Sequence, residues 1–262
     1  MLRFISFGSG SSGNCYFLYT ENDGLMIDAG VGVRALKKYF RDYGLSPTQV
    51  HHLLITHDHA DHIKCVGSIS GDLHLPVYAT HEVHQGIDRN YCVSHKVNPA
   101  DRHLVQADQP ITLGDFLVTP FAVPHDSSDN VGYMIEACGV NFCIITDEMA
   151  SYISRANYLV IEANHDREML MAGPYPFHLK ERIVSGTGHL NNNACGEAIA
   201  QHMSEHLRHV WLCHLSEENN HPELARKTVE ATLRSYGIIV GKDLQLDVLK
   251  RTMPTGIFTL TE

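Results

Sequence analysis

The sequence predicts an α/β (α+β) fold in which two β-sheets pack face to face between outer helices, a four-layer αββα sandwich. Three observations predict it. Short apolar strands recur in both halves of the chain, segments of helical spacing alternate with them in both halves, and no linker-like or repetitive tract divides the 262 residues. A single domain spanning 1–262 is therefore expected.

In chain order, Arg3 to Phe7, Cys15 to Thr20 and Leu25 to Ile27 read as strands separated by Gly/Ser-rich and Glu-Asn-Asp-Gly turns, a meander closed by Asp28. Val31 to Tyr43 has helical spacing at Val33, Leu36 and Phe40 and stops at Gly44, which suits a C-terminal glycine cap. His52 to Thr56 carries the triplet Leu53-Leu54-Ile55, a short buried strand that delivers a histidine-rich run at its carboxyl end. Pro76 to Ala79 reads as a strand, Thr80 to Asn90 as a helix, and Ile111 to Asp147 as β-rich. Within that stretch Gly132 to Ala137 and Asn141 to Thr146 flank the hairpin signal Cys138-Gly139-Val140. Tyr158 to Glu162 is a further strand. An amphipathic helix from Asn193 to Leu207, a strand at His209 to Cys213, a helix from Pro222 to Tyr236 and closing strands complete the chain.

Composition is that of an ordinary globular protein, 44% hydrophobic and 19% charged. A net charge of −10 argues against an overall basic nucleic-acid binder. Bound divalent cations would nevertheless place positive charge where a phosphodiester must sit, and local clusters such as Lys37-Lys38-Arg41 or Lys180-Arg182 could hold flanking backbone. Each cluster reads more simply as a solvated helix face. The seven cysteines are scattered and never spaced C-x-x-C, so no disulfide framework or structural zinc knot follows. The amino terminus has no signal-peptide pattern and no stretch reaches membrane-spanning length; the expectation is a cytoplasmic protein with no membrane partner.

Nineteen histidines raise the prior for a metal site, but position must decide. His57, His59, Asp61 and His62 form H-x-H-x-D-H just after a strand, a match that this composition would produce on the order of once per 200 chains. Two histidines one residue apart in an extended turn can point at one cation, and Asp61 and His62, as the chain turns into a helix, can address a second. The remaining ligands must come from other strand ends. His125 follows Phe121-Ala122-Val123-Pro124, Asp147 follows Cys143-Ile144-Ile145-Thr146, and His214 follows Val210-Trp211-Leu212-Cys213. We assign His57, His59 and His125 to one ion and Asp61, His62 and His214 to the other, with Asp147 bridging. This nitrogen and oxygen set suits two divalent ions, Zn, Mn or Fe.

These residues resemble the metallo-β-lactamase superfamily, in the order of its nuclease and phosphodiesterase branches. A closer resemblance is carried by Gly8-Ser9-Gly10-Ser11-Ser12-Gly13-Asn14-Cys15, Thr56 to His62, Pro124-His125-Asp126, Glu162-Ala163-Asn164-His165-Asp166 and Gly188-His189-Leu190-Asn191-Asn192. This combination is similar to the YycJ/WalJ group of bacterial single-domain exonucleases, related to RNase Z and β-CASP nucleases. The resemblance implies a two-metal phosphodiesterase acting on DNA from the 5′ end in repair, without the inserted β-CASP domain. It also places the Gly8–Asn14 loop, through Ser11 and Asn14, at a substrate anion, and it makes His189 the candidate general acid. His165 and Asn191 are candidate substrate contacts from the same segments. In the mechanism expected, Asp61 accepts a proton from water and His189 protonates the leaving 3′-oxygen. The rivals are a small-molecule phosphodiesterase of the cyclic-nucleotide type, a thioester or lactone hydrolase, and a non-catalytic, metal-stabilised binding module.

Overall fold

The structure, a computed structural model, describes the chain except residues 124–126, 128, 146–149 and 185–187. Its strands alternate between two interiors. In β1 (Leu2–Gly8), Leu2 and Phe4 face the space between the sheets while Ile5 and Phe7 face the outer helices. The same alternation runs through β2 (Cys15–Tyr19), β3 (Gly24–Ile27) and β4 (His52–Leu54), where Leu54 points inward and Leu53 outward. Strands apolar on both faces cannot be solvent-facing, so the sheet is covered on both sides.

Helices α1 (Val33–Asp42), α2 (Ala60–Ile63), α3 (Val66–Leu73) and α4 (His81–Arg89) lie along this amino-terminal region, and Leu36, Phe40, Ile69, Val83 and Ile87 supply the outer core. Strands β5 (Val77–Ala79) and β6 (Arg102–Leu104) extend the sheet. The second sheet begins with β7 (Ile111–Leu113), β8 (Phe116–Ala122), β9 (Val131–Ala137) and β10 (Val140–Ile145). After α5 (Ala150–Ile153) come β11 (Tyr158–Glu162), α6 (Arg167–Ala172), α7 (Phe177–Val184), α8 (Asn192–His202), β12 (His209–Cys213), α9 (Pro222–Ser235), β13 (Gln245–Val248) and β14 (Phe258–Leu260).

Among the described residues the two sheets mirror one another. One runs β14-β1-β2-β3-β4-β5-β6 and the other β13-β12-β11-β10-β9-β8-β7. Each is antiparallel on one side and parallel on the other, the change falling between β3 and β4 in the first and between β10 and β11 in the second. Phe4 and Trp211, one from each sheet, meet at 4.9 Å between ring centres, and Trp211 is wholly buried. The expected four-layer αββα sandwich is the observed fold.

The departures from expectation are local. The hairpin turn is the two residues Cys138 (φ 51°) and Gly139 (φ 76°), so Val140 joins the strand. The helix expected to reach Leu207 ends at His202, with Met203 extended and Leu207 closing a turn onto the Ser204 carbonyl. β4 stops before Thr56, whose amide is taken by the Asp28 carboxylate at 2.9 Å instead of a ladder partner. Helices α6 and α7 were not expected: neither six residues nor an eight-residue segment without a buried side chain carries a periodic apolar stripe.

Candidate metal centre

The carboxyl ends of β3, β4, β11 and β12 converge on one rim of the sandwich, where two structural devices prepare the site. The chain leaves β3 through Asp28 (φ 62°) and β12 through His214 (φ 55°), both in the left-handed region that only an over-determined environment sustains in a non-glycine residue. At His214 the amide donates to Ser9 Oγ at 2.9 Å, and its carbonyl accepts from Asn164 Nδ2 at 2.9 Å. Gly30, just past Asp28, sits so close to the metal loop that a Cβ there would lie 1.7 Å from the Asp61 carbonyl oxygen.

The run following β4 is positioned by Asp28, which is buried and accepts from Thr56 N (2.9 Å), Thr56 Oγ1 (3.0 Å) and His62 Nδ1 (2.7 Å). Because Thr56 gives its one hydroxyl proton to Asp28, its oxygen accepts from His57 Nδ1 at 2.9 Å. Both imidazoles thereby have Nδ1 protonated and engaged, which leaves Nε2 as the nitrogen turned toward the centre. The rings of His57 and His59 lie 4.7 Å apart, and those of His57 and His62 4.0 Å apart.

Across the rim, Glu162 does the corresponding work. Wholly buried at the end of β11, its Oε1 accepts from His214 Nδ1 (2.5 Å) and His189 Nδ1 (2.9 Å), and its Oε2 from the Leu190 amide (3.0 Å). Burial alone would raise the pKa of this carboxyl, but His189 and His214 outweigh it and hold Glu162 well below the usual carboxylate range. Asp61 is held down in the same way by His62 and His214 against the cost of burial. His214 in turn is raised to about 10 despite its burial, because it lies between Asp61 and Glu162.

Asp61, His62 and His214 place their ligand atoms within 4.8 Å of one another. His214 Nε2 donates to Asp61 Oδ2 at 2.9 Å, so a proton sits between groups that a divalent cation would draw together. The donor set therefore fits a metal: two carboxylates stabilise positive charge at a buried point, and histidine Nε2 atoms face it. A second grouping, Glu162, His189 and His214, meets through Nδ1 atoms, which makes Glu162 the outer partner that orients two rings.

The centre forms the floor of a cavity of about 600 Å³. Ser11, His59, Asp61, His189 and His214 line it, together with Tyr175, Leu179, Arg182 and Ile183 from α7 and its approach. Of the expected site residues, His57, His59, Asp61, His62, His189 and His214 come together here; His125 and Asp147 lie outside the described residues. Asn14 is wholly buried; its amide nitrogen donates to Asp61 Oδ2 (3.0 Å) and the Gly10 carbonyl (3.1 Å) and lies 3.0 Å from His62 Nε2, which locks the Gly/Ser loop to the histidine-rich run. Asn191 caps α8 by accepting from the Ala194 amide at 3.0 Å. His165 is buried with neither ring nitrogen hydrogen-bonded among the described residues, and burial pushes it down to about 4. Lys180 ties α7 to the end of α6 by donating to the carbonyls of Met171 and Gly173, both at 2.7 Å, and Arg182 faces the cavity.

Sequence reasoning gave no role to the two buried carboxylates. Glu162 had a readable signal, since it ends a buried strand in the same setting as His57 and His214. Asp28 had less, because its function rests on a positive φ that no local motif announces.

A β-lactamase superfamily domain matches residues 24–215. An exodeoxyribonuclease YycJ from Bacillus anthracis is 34% identical, over 98% of this chain and 98% of its own. Exodeoxyribonuclease WalJ from Streptococcus pneumoniae is 32% identical over 99% of this chain and 97% of its own. Among solved structures, the metallo-β-lactamase fold protein YhfI from Bacillus subtilis superposes with a TM-score of 0.68 at 17% identity, covering 97% of this chain and 99% of that one.

Proposed function

The chain belongs to the β-lactamase superfamily, and from that premise we propose that it is a two-metal DNA exonuclease, acting from the 5′ end in repair. The observation that carries this reading is the triad Asp61, His62 and His214, closed within 4.8 Å and braced by buried Asp28 and Glu162 beneath an open cavity. His57, His59 and His125 would hold one ion and Asp61, His62 and His214 the other, with Asp147 as the carboxylate shared between them; zinc, manganese and iron all suit these donors. Bound ions supply Lewis acidity towards the phosphodiester and lower the pKa of water.

The protein's own groups do the rest. Asp61, held ionised beside His62 and His214, would serve as a ligand and accept the proton from water. His189 lines the cavity with Nδ1 anchored on Glu162, an orientation suited to protonating a leaving 3′-oxygen. Ser11 at the cavity wall meets the substrate anion, Asn14 and Asn191 hold the loops that carry the site, and His165 remains a candidate substrate contact. The whole chain works as one domain without an inserted clamp. Seven free thiols suit a cytoplasmic protein, and no described helix is long and apolar enough to cross a membrane.

The test is digestion of 5′- and 3′-labelled single- and double-stranded DNA and RNA by metal-loaded, chelator-treated and His59→Ala protein. Metal-dependent loss of 5′-terminal nucleotides from DNA is expected. Full activity after chelation or in His59→Ala would overturn the assignment. Bis(p-nitrophenyl) phosphate against a panel of thioesters and lactones separates phosphorus from carbonyl chemistry.

A further inference from the structure

On a chain of net charge −10, the outer face of α1 is a concentrated exception. Arg34, Lys37, Lys38 and Arg41 stand at i, i+3, i+4 and i+7, all exposed, on the side opposite the buried Leu36 and Phe40. Lys64, partly exposed after α2, adds a fifth cation on the way to the candidate centre, its Nζ donating to the Ser12 carbonyl. Without these five, the other 15 of the 20 Lys and Arg residues face 30 Asp and Glu. A polyanion approaching this molecule is repelled elsewhere and attracted here.

The patch is also continuous with the candidate metal centre. α1 starts just after Gly30, whose backbone touches the Asp61 carbonyl, and the Ala29 amide donates to the His62 carbonyl at 2.6 Å. Ser11, next to the Ser12 carbonyl that Lys64 holds, lines the site cavity. Along the first half of α1 a hollow of about 520 Å³ between α1 and α3 is lined by Arg34, Lys37, Ser68, Asp72 and His95. Three of these cations are ion-paired, Lys37 with Asp72 and both Lys38 and Arg41 with Asp42, and all three pairs are solvent-exposed, the kind that contributes least and so costs a phosphate least to displace.

We propose that the basic face of α1, with Lys64, is the track that holds the phosphate backbone of the DNA strand leading away from the metal centre. The inference rests on the nuclease reading and deepens it by naming where the uncut strand lies. From Arg34 to Arg41 the helix rises about 10 Å, and Arg34, Lys38 and Arg41 along it can each neutralise one phosphate. Such contacts carry no sequence information, as suits an enzyme that shortens strands of any sequence.

The test compares wild type with Arg34→Glu/Lys38→Glu/Arg41→Glu, metal-loaded, using fluorescence anisotropy on a nuclease-resistant phosphorothioate oligonucleotide across a salt series. Steady-state digestion of DNA and hydrolysis of bis(p-nitrophenyl) phosphate are measured alongside. The expected result is about tenfold weaker binding near 0.1 M salt and a salt slope shallower by about 2, at about 0.7 per lost single-strand contact. KM for DNA rises, while kcat and the small-ester rate stay unchanged. Equal binding and equal salt slopes in the two proteins overturn the proposal, as does a wild type that does not bind DNA at low salt. A protein that binds DNA through α1 yet cleaves none leaves the track standing and overturns the nuclease reading. Loss of the small-ester rate would mean that the variant disturbs the centre, and Arg41→Gln alone, at the far end of the patch, then reads the slope.

Discussion

The site's two halves solve one problem with differently arranged sequence. On the first sheet, His57, His59, Asp61 and His62 come from six consecutive positions after β4, and Asp28, after the adjacent parallel strand, orients them. On the second, Glu162, His189 and His214 are spread over more than fifty residues and meet only because β11 and β12 pair in parallel, Glu162 opposite Cys213. In both halves a buried carboxylate at a strand end fixes histidine Nδ1 so that Nε2 faces the centre. A compact motif saves loop closure but still needs an outer carboxylate, whereas the dispersed half depends on sheet register for everything.

The largest effect should come from breaking the dispersed half at its one described candidate ligand. His214→Ala is expected to lower phosphodiester hydrolysis by about 10³-fold, roughly 4 kcal/mol of transition-state stabilisation, while circular dichroism stays native. Activity within tenfold of wild type would mean that the first half suffices. The sharper comparison is Glu162→Gln against Asp28→Asn, each expected to weaken metal binding by about 10- to 100-fold. Glu162→Gln should cost more, since Glu162 orients two rings where Asp28 accepts from one ring directly. Competition against a chromophoric chelator reads both; equal affinities for the two variants would deny the asymmetry.

Backbone packing distinguishes the halves next. Gly30→Ala drives a methyl into the Asp61 carbonyl and should cost about 1–3 kcal/mol of stability by urea denaturation, through overpacking. An unchanged midpoint would show that the metal loop moves freely away from α1.

How much of this was legible follows the same division. The four-layer sandwich could be read because strands such as Arg3–Phe7 and Leu53–Ile55 are apolar on both faces, and because Gly44 (φ 68°) marks its helix end as expected. The histidine run could be read because its spacing is local. His214 was found by its setting at the end of a buried strand, but Asp28 and Asn14 were not given their positioning roles. Those roles come from long-range hydrogen bonds to His62 and Asp61, and local pattern does not encode contacts 34 or 47 residues apart. Helix α7 was missed because it caps a cavity instead of covering a core, and α6 because its six residues are too few to carry a periodic stripe.

The smallest effect is expected where the two sheets are latched between strand turns. Asp23, in the β2–β3 turn, accepts from the Gly24 amide (2.8 Å), His51 Nδ1 (2.6 Å) and, from the other sheet, the Asp115 amide of the β7–β8 turn (3.0 Å). Thr20 Oγ1 donates back to the Asp115 carboxylate at 2.6 Å. Burial works to raise the pKa of Asp23, but these donors outweigh it and lower it. A depressed carboxylate contributes stability that is fully present above its unfolded value of about 3.9 and is lost as pH falls through the folded one. Asp23→Asn should therefore cost about 1 kcal/mol at neutral pH, and the gap to wild type should close as the solution is acidified below about pH 4. Urea denaturation of both proteins across that range reads the difference directly. A gap that stays constant through acid would assign the latch to shape instead of charge, and a gap as large as that of Gly30→Ala would make the relative seating of the two sheets as critical to the fold as the packing at the metal loop.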